Sequence, residues 1–329
     1  MQSRHSIAMP FKALALACAV SVAALASSVA SAQSYPDPSE RLNWTIAFGP
    51  GGGNDIMSRT IISILEKYDL YPGEIVAENR PGGSGAVGWG HLFNQAGNPY
   101  HISSTSGSFI TTPLKADTPW GPTSFTPVAL LAADDLILVV NRDSAIKDFD
   151  QWISQAKAQS PAVGGMGAVN VDFIIPTLLA EKAGYEFEYV SFNQQGELTT
   201  ALLSGALDAM VVNPGEVSGL LESGDLRAIA FTGKKTPASL AGVPTLGEKG
   251  YEMNISAPRG IVLPPDAPKE AQEWWIATMK KVVETQEWAE YVKKHDLTEN
   301  VLYGEEFSSF LAGIQNEFGR ILKAKGVIQ

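Results

Sequence analysis

Three consecutive glycines, Gly51-Gly52-Gly53, separate an apolar strand-like run at residues 44–48 from a helical stripe of Ile56, Met57, Ile61, Ile62 and Leu65. A strand that passes through glycine straight into a helix aims the unpaired N–H groups of the first helical turn out beyond the strand's carboxyl end. The helix dipole adds partial positive charge at the same spot. Glycine lets other atoms approach that backbone closely, so the turn can hold an anion with no cationic side chain. Asn54 is the predicted N-cap, and Asp55 suits the first turn. One such turn alone reads more readily as a ligand-free bend. What constrains this chain is that the pattern recurs.

Residues 74–78 form a second strand-like run, followed by Asn79-Arg80-Pro81-Gly82-Gly83-Ser84-Gly85-Ala86 and a helix through Trp89, Leu92 and Phe93. A third run, 101–105, ends in Ser104-Thr105-Ser106-Gly107-Ser108. Apolar runs at 127–133 and 136–140 then read as strands crossing out of a first lobe, because the turn Asn141-Arg142-Asp143-Ser144 opens a new series. That series alternates helix Phe149–Ala158, strand 162–165, turn 166–170, helix Val171–Ala183, strand 187–192 and turn 193–196. It continues with helix 197–204, strand Ala209–Val212, turn 213–215, helix 216–222 and strand 226–232. Residues 255–263 carry the chain back to the first lobe, where helices at 269–284, 287–294 and 305–325 finish it. Alternating strands and helices predict an α/β fold with parallel sheets. Two series joined by long strands predict two lobes with two crossover strands. The division is residues 33–138 and 261–329 for lobe 1 and 139–260 for lobe 2. Ligands of open α/β sheets sit beyond the carboxyl ends of the strands. The turns therefore meet in one interlobe cleft if the two sheets face each other.

The first 32 residues stand apart as a signal peptide. Arg4 and Lys12 form a basic start, residues 13–26 a short apolar core, and Ala30-Ser31-Ala32 a small-x-small cleavage site. The core is too short to span a bilayer. The single cysteine, Cys18, lies inside this leader, and Ala15 three positions before it argues against a lipid anchor. A mature chain starting at Gln33 has no thiol, which removes disulfides, thiolate catalysis and cysteine metal sites together. The formal charge of the full chain is −11, and the leader carries only basic groups. So acidic a chain is a poor partner for nucleic acid or anionic membrane, and any anion site must be made locally.

Rival chemistries have little support. Gly83-Ser84-Gly85-Ala86-Val87-Gly88 fits the dinucleotide pattern G-x-G-x-x-G, but Asn79-Arg80-Pro81 lengthens the turn, and an exported protein would need its cofactor loaded beforehand. Amide contact to an anion, or a packed turn, is the better reading. No G-K-[ST] follows a glycine run, and no G-x-S-x-G elbow accompanies His91, His101 or His295. Metal-ligand spacings are absent, and no cofactor is expected. Asp134-Asp135 and Glu305-Glu306 read as solvated turns or caps, and Trp274-Trp275 as core and surface packing. Arg259, in Ala257-Pro258-Arg259-Gly260, has two readings: a charge-assisted pair with a ligand carboxylate, or the commoner ion pair within the protein.

Pro50-Gly51-Gly52-Gly53-Asn54-Asp55, Glu78-Asn79-Arg80-Pro81-Gly82-Gly83-Ser84-Gly85 and Phe125-Thr126-Pro127-Val128 resemble the solute-binding proteins of tripartite tricarboxylate transporters, the Bug family. Residues 196–210, Gly242-Val243-Pro244-Thr245-Leu246 with Gly250-Tyr251, and Arg259-Gly260-Ile261 through Pro265 match in the same order. The Pro-Arg-Gly-Ile run and Trp274-Trp275 are most similar to the tricarboxylate-binding branch. The resemblance spans nearly the whole mature chain. It implies a two-lobe periplasmic binding protein of the Venus-flytrap type, with no catalysis. The protein would be a monomer that passes a carboxylate to membrane permease subunits. It further implies that one ligand carboxylate rests, often through ordered water, on Gly52, Gly53, Asn54, Asp55, Ser84, Gly85 and Ala86. Ligand-specific contacts would come from Ser104, Ser106, Gly167, Ala168, Val169, Asn170, Asp172, Asn193, Gln195 and Asn213, with Arg259 as a further candidate. Asn54 stands where the family usually has Thr or Ser, and Ala168-Val169-Asn170 make the second wall more apolar than usual. Those departures favour a dicarboxylate or an aromatic carboxylate over heavily hydroxylated citrate.

The expectation is a periplasmic protein that captures a small di- or tricarboxylate by amide and hydroxyl hydrogen bonds and by closure of the lobes. Two rivals remain. The same fold can present its ligand to a periplasmic sensor kinase, which uptake and signalling phenotypes of a deletion strain would separate. A secreted hydrolase would turn over an ester or amide, but the sequence offers no nucleophile–base pair.

Overall fold

The computed structural model describes residues 35–166, 171–192, 195–253 and 255–328. The predicted leader lies outside the described residues. In chain order the elements are β1 (Leu42–Ile46), α1 (Gly53–Lys67), β2 (Ile75–Asn79), α2 (Ala86–Phe93), β3 (His101–Ser104), α3 (Gly107–Lys115) and β4 (Thr126–Asp134). Then follow β5 (Ile137–Asn141), α4 (Phe149–Ala158), β6 (Ala162–Met166), α5 (Val171–Ala183), β7 (Glu188–Phe192), α6 (Gln195–Leu203), β8 (Ala209–Val212), α7 (Ser218–Glu222) and β9 (Leu226–Phe231). The chain ends with β10 (Ala257–Leu263), α8 (Lys269–Val283), α9 (Gln286–Lys294), β11 (Leu302–Tyr303) and α10 (Gly304–Ala324).

The strands form two sheets, ordered β11-β4-β10-β3-β1-β2 and β7-β6-β8-β5-β9. Strands β1, β2 and β3 are parallel, as are β6, β7 and β8. The expectation of wholly parallel sheets needs one correction. Strand β10 runs antiparallel to β3 and β4, and β5 runs antiparallel to β8 and β9. The reason is where these strands begin. The parallel strands run toward their glycine turns. A strand arriving from the other lobe starts at that same edge and runs away from it. Both arriving strands, β5 and β10, have this reversed direction, so the carboxyl edges of the two sheets are turned toward the crossing point.

The crossing itself is short. Only Asp135 and Leu136 separate β4 from β5. Thr232 braces them: its N–H donates to the Leu136 carbonyl at 2.9 Å, and the Leu136 N–H donates to Thr232 Oγ1 at 2.8 Å.

Apolar periodicity explains the helices. Met57, Ile61 and Leu65 turn one face of α1 fully into the core of the first lobe. Helix α5 is buried over most of its length, with Phe173, Ile174, Ile175, Leu178 and Leu179 all covered. It packs between the second sheet and α10, so its exposed polar residues are confined to Glu181 and Lys182 near its end. Helices α8 and α10 return to β4 and bury Trp275, Met279, Phe307, Leu311 and Phe318. Trp275 stacks on Tyr71 and meets Trp44 edge-on, while Trp274 meets Tyr35 and Tyr71 edge-on. This is packing, as the sequence suggested. Helix α3 was not among the expected elements; Pro113 lies inside it, where Pro ordinarily breaks a helix. Burial of Phe109 and Ile110 holds it, with Phe109 lying among the rings of Trp89, Trp120 and Phe125.

Candidate functional site

The glycine turn after β1 sets the start of α1 two residues earlier than the side chains suggest. Gly52, extended at φ −79° and ψ 164°, is the N-cap, and its carbonyl accepts the Ile56 N–H at 2.9 Å. Asn54 is therefore not the cap. It sits inside the first turn, where its amide reaches sideways to donate to the Thr105 carbonyl at 3.3 Å. Asp55 holds the turn closed. Its carboxylate accepts from the Gly51 N–H at 2.9 Å, Asn79 Nδ2 at 2.9 Å and Arg59 Nε at 2.8 Å. Burial opposes its charge, yet these three bonds keep the carboxyl below its ordinary range.

The turn before α2 is wound left-handed, with φ of 55° at Gly83, 53° at Ser84 and 92° at Gly85. Gly85 is the N-cap of α2, and a Cβ there would run into the Trp89 ring. Gly88 packs the helix on the end of the first strand, since its Cβ would fall 2.5 Å from Ala47 Cα. Thr112 Oγ1 donates to the Ser84 carbonyl at 2.8 Å, which fixes the turn from α3, and Ser84 itself is exposed. Ala86, half-buried, opens α2. Ser104 ties the three turns together: its Oγ lies 2.7 Å from Ser58 Oγ on α1, and its carbonyl accepts Trp89 Nε1 at 3.1 Å.

Arg259 enters from β10. Its Nη2 pairs with Asp134 Oδ2 at 2.6 Å, and both groups are largely buried. Both terminal nitrogens lie 2.8 Å from where a Cβ on Gly53 would stand, so the guanidinium rests against the start of α1. Thr105 flanks it on both sides, donating to the Pro258 carbonyl at 3.2 Å and accepting the Gly260 N–H at 2.9 Å. Around this point Asn54 Oδ1, Ser106 Oγ and Arg259 Nε are buried with no hydrogen-bond partner among the described residues. Native interiors rarely leave such atoms unmatched. Together they offer one acceptor, one hydroxyl and one charged donor beside the amides of a helix start.

Asp134 and Asp135 are not the solvated turn expected of them. Asp135 is 5% exposed. Successive residues of an extended chain face opposite ways, so Asp134 points to Arg259 and Asp135 to the far side of the hinge. Asp134 is the functional candidate the sequence reading missed. The available signal was one acid and one arginine, placed on the outgoing and returning crossover segments.

From the second lobe, Asn213 reaches the same point. Its Oδ1 caps Gly215 N–H at 2.9 Å, and its Nδ2 lies 3.5 Å from Asp134 Oδ1. Gln195 opens α6, with Nε2 3.4 Å from Thr199 Oγ1 and a buried Oε1 that has no partner among the described residues. Asp172, in the first turn of α5, accepts the Met166 N–H at 2.8 Å. Burial pushes its carboxyl up to about 7; the Met166 bond pulls it down and the Glu216 charge pushes it further up. Gly167, Ala168, Val169, Asn170 and Asn193 lie outside the described residues. Among the described residues no group of three or more His, Cys, Asp or Glu can hold a metal ion, and no helix is long and apolar enough to cross a membrane.

Asp172 gives a pH signature. Its folded pKa lies above its unfolded value, so between roughly pH 4 and 7 the native state holds the extra proton and loses stability as pH rises. Asp172→Asn should therefore raise the melting temperature above pH 7, by a few degrees per kcal/mol recovered (about 2–4 °C), and give no gain near pH 4. Melting curves across that range check it; equal gains at both ends would show that the carboxyl is not held protonated.

A family model described as the tripartite tricarboxylate transporter family receptor matches residues 69–327. Among curated relatives, the UPF0065 protein in the gbd 5' region of Cupriavidus necator is 27% identical over 331 residues, covering 99% of each chain. Protein BugT of Bordetella pertussis is 26% identical over 252 residues, covering 75% of this chain and 76% of its own. Among solved structures, a TctC solute binding protein from Polaromonas superposes with a TM-score of 0.81 at 23% identity, covering 88% of this chain and 100% of its own. Two Rhodopseudomonas palustris proteins share the fold. One, with bound malate, has a TM-score of 0.62 at 18% identity, covering 86% of this chain and 99% of its own. The other, with adipate, has a TM-score of 0.68 at 20% identity, covering 88% and 99%.

Proposed function

The chain belongs to the tripartite tricarboxylate transporter receptor family, whose members bind solutes and do not catalyse, and from that premise we propose that it captures a small di- or tricarboxylate between its lobes. In this reading the protein works in the periplasm and hands its ligand to membrane permease subunits. One observation carries it. The start of α1, the fork of Arg259 and the unmatched polar atoms of Asn54 and Ser106 gather at the edge where the two sheets turn toward each other. A carboxylate placed there meets helix-start amides and a charge-assisted donor. It needs no net positive field, which a chain of charge −11 does not supply. The two Rhodopseudomonas palustris relatives of the same fold hold malate and adipate, which supports a dicarboxylate of similar length.

A thermal-shift screen of di-, tri- and aromatic carboxylates tests this. A ligand that binds only the native state stabilises it by about 2.7 kcal/mol at a hundred times its Kd, enough to raise the melting temperature by several degrees. We expect a dicarboxylate to give the largest shift, confirmed by one-to-one binding in calorimetry. If no organic acid moves the transition at millimolar concentration, the reading fails.

A further inference from the structure

A cavity of about 590 Å3 opens at the hinge, on the side away from the carboxylate cleft. Among the described residues, no cleft turn lines it. Along α5, Asp172 stands at the cleft end while Leu178 and Lys182 line the cavity, roughly 10–15 Å further down the helix axis. The neighbouring carboxylates of the crossing segment divide in the same way: Asp134 faces Arg259 and Asp135 lines the cavity. The walls come from both lobes, with Leu178 on one side and Phe310 and Ile314 of α10 on the other. A molecule seated there touches both lobes and resists any hinge rotation that changes the cavity's width.

The deep end is acidic and hydroxylated. Asp135 is 5% exposed, and Thr232 and Ser256 lie beside it in the wall. Burial pushes the Asp135 carboxyl up to about 6, a hydrogen bond from Thr298 pulls it down, Asp134 pushes it up and Lys234 pulls it down. The two lysines of the described lining, Lys182 and Lys234, are exposed, which weakens their fields, and Glu299 and Glu317 of the same lining offset them. An anion entering the cavity would bring like charge to Asp135, and a plain hydrocarbon would leave the carboxylate unmatched.

We propose that this cavity is a second binding site, for a small organic ammonium ion with an apolar body. The ammonium rests on Asp135 at the hinge, and the body lies between Leu178 and the Phe310–Ile314 face of α10. The assignment is independent of what fills the cleft.

Hexylammonium is the probe, titrated calorimetrically into the full mature chain above pH 7, with hexanol and hexanoate as comparators. We expect one-to-one binding of hexylammonium. Asp135→Asn should weaken it about tenfold or more, as loss of a charged hydrogen bond does. Gly313→Leu should abolish it. Gly313 lines the cavity, a Cβ there meets nothing within 4 Å, and a helical leucine is favoured over glycine, so this variant fills the space without disturbing the fold. If Asp135→Asn fails to fold, Gly313→Leu alone decides. Equal affinity in the wild type and Gly313→Leu overturns the site. Hexanoate or hexanol binding as tightly as hexylammonium overturns the ammonium assignment.

Discussion

Valine at position 53 should abolish carboxylate binding, by about a hundredfold or more (~2.7 kcal/mol), while the chain keeps a cooperative unfolding transition. The Cβ would stand 2.8 Å from both terminal nitrogens of Arg259. The guanidinium must move, its bond to Asp134 must stretch, and the branched side chain covers the amides of the first helical turn. Gly53 itself is exposed and lies in ordinary helical backbone, so the cost to the fold is confined to the strained Arg259–Asp134 pair. Calorimetry with the ligand found in the screen, alongside a melting curve, separates the two effects. Unchanged affinity would remove the start of α1 from the site.

The second large effect concerns the ion pair. Arg259→Met leaves Asp134, whose side chain is 17% exposed, without its cation in a largely buried setting. Breaking a buried pair from one side costs about 3–5 kcal/mol, because the remaining charge keeps its desolvation penalty. Adding Asp134→Leu removes that charge and should recover most of the loss. Urea denaturation of the single and double variants measures both steps. A cost below about 1 kcal/mol for Arg259→Met would mean that the pair behaves as a screened surface contact.

Segments whose structure depends on their own residues were legible. Helices Phe149–Ala158 and Val171–Ala183 and strand Ala209–Val212 lie where apolar period and flanking turns put them. What failed depended on partners far along the chain. Helix α3 forms around Pro113 because Trp89, Trp120 and Phe125 enclose Phe109. Asn54 looks like a cap in isolation, yet Gly52 takes that place and frees Asn54 to reach Thr105, fifty-one positions away. Strand direction at the crossings follows from which edge each strand enters, which no local pattern records. In the candidate site the glycine turns could be read directly. For Arg259 the sequence left a ligand contact and an ion pair both open. Its contact with Asp134 required knowing that the outgoing and returning segments lie side by side.

Strand β10 lies between β4 and β3 in the middle of the first sheet, yet it begins only at Ala257. As the chain emerges from its amino end, all of β5 to β9 is available before the first sheet can be completed. Until residue 257 and its successors arrive, β3 and β4 each present an open edge, the kind that invites pairing with other chains. The half that is started first is thus the half that is finished last. A chain cut short before its final quarter would carry a complete second sheet beside an unsealed and adhesive first one.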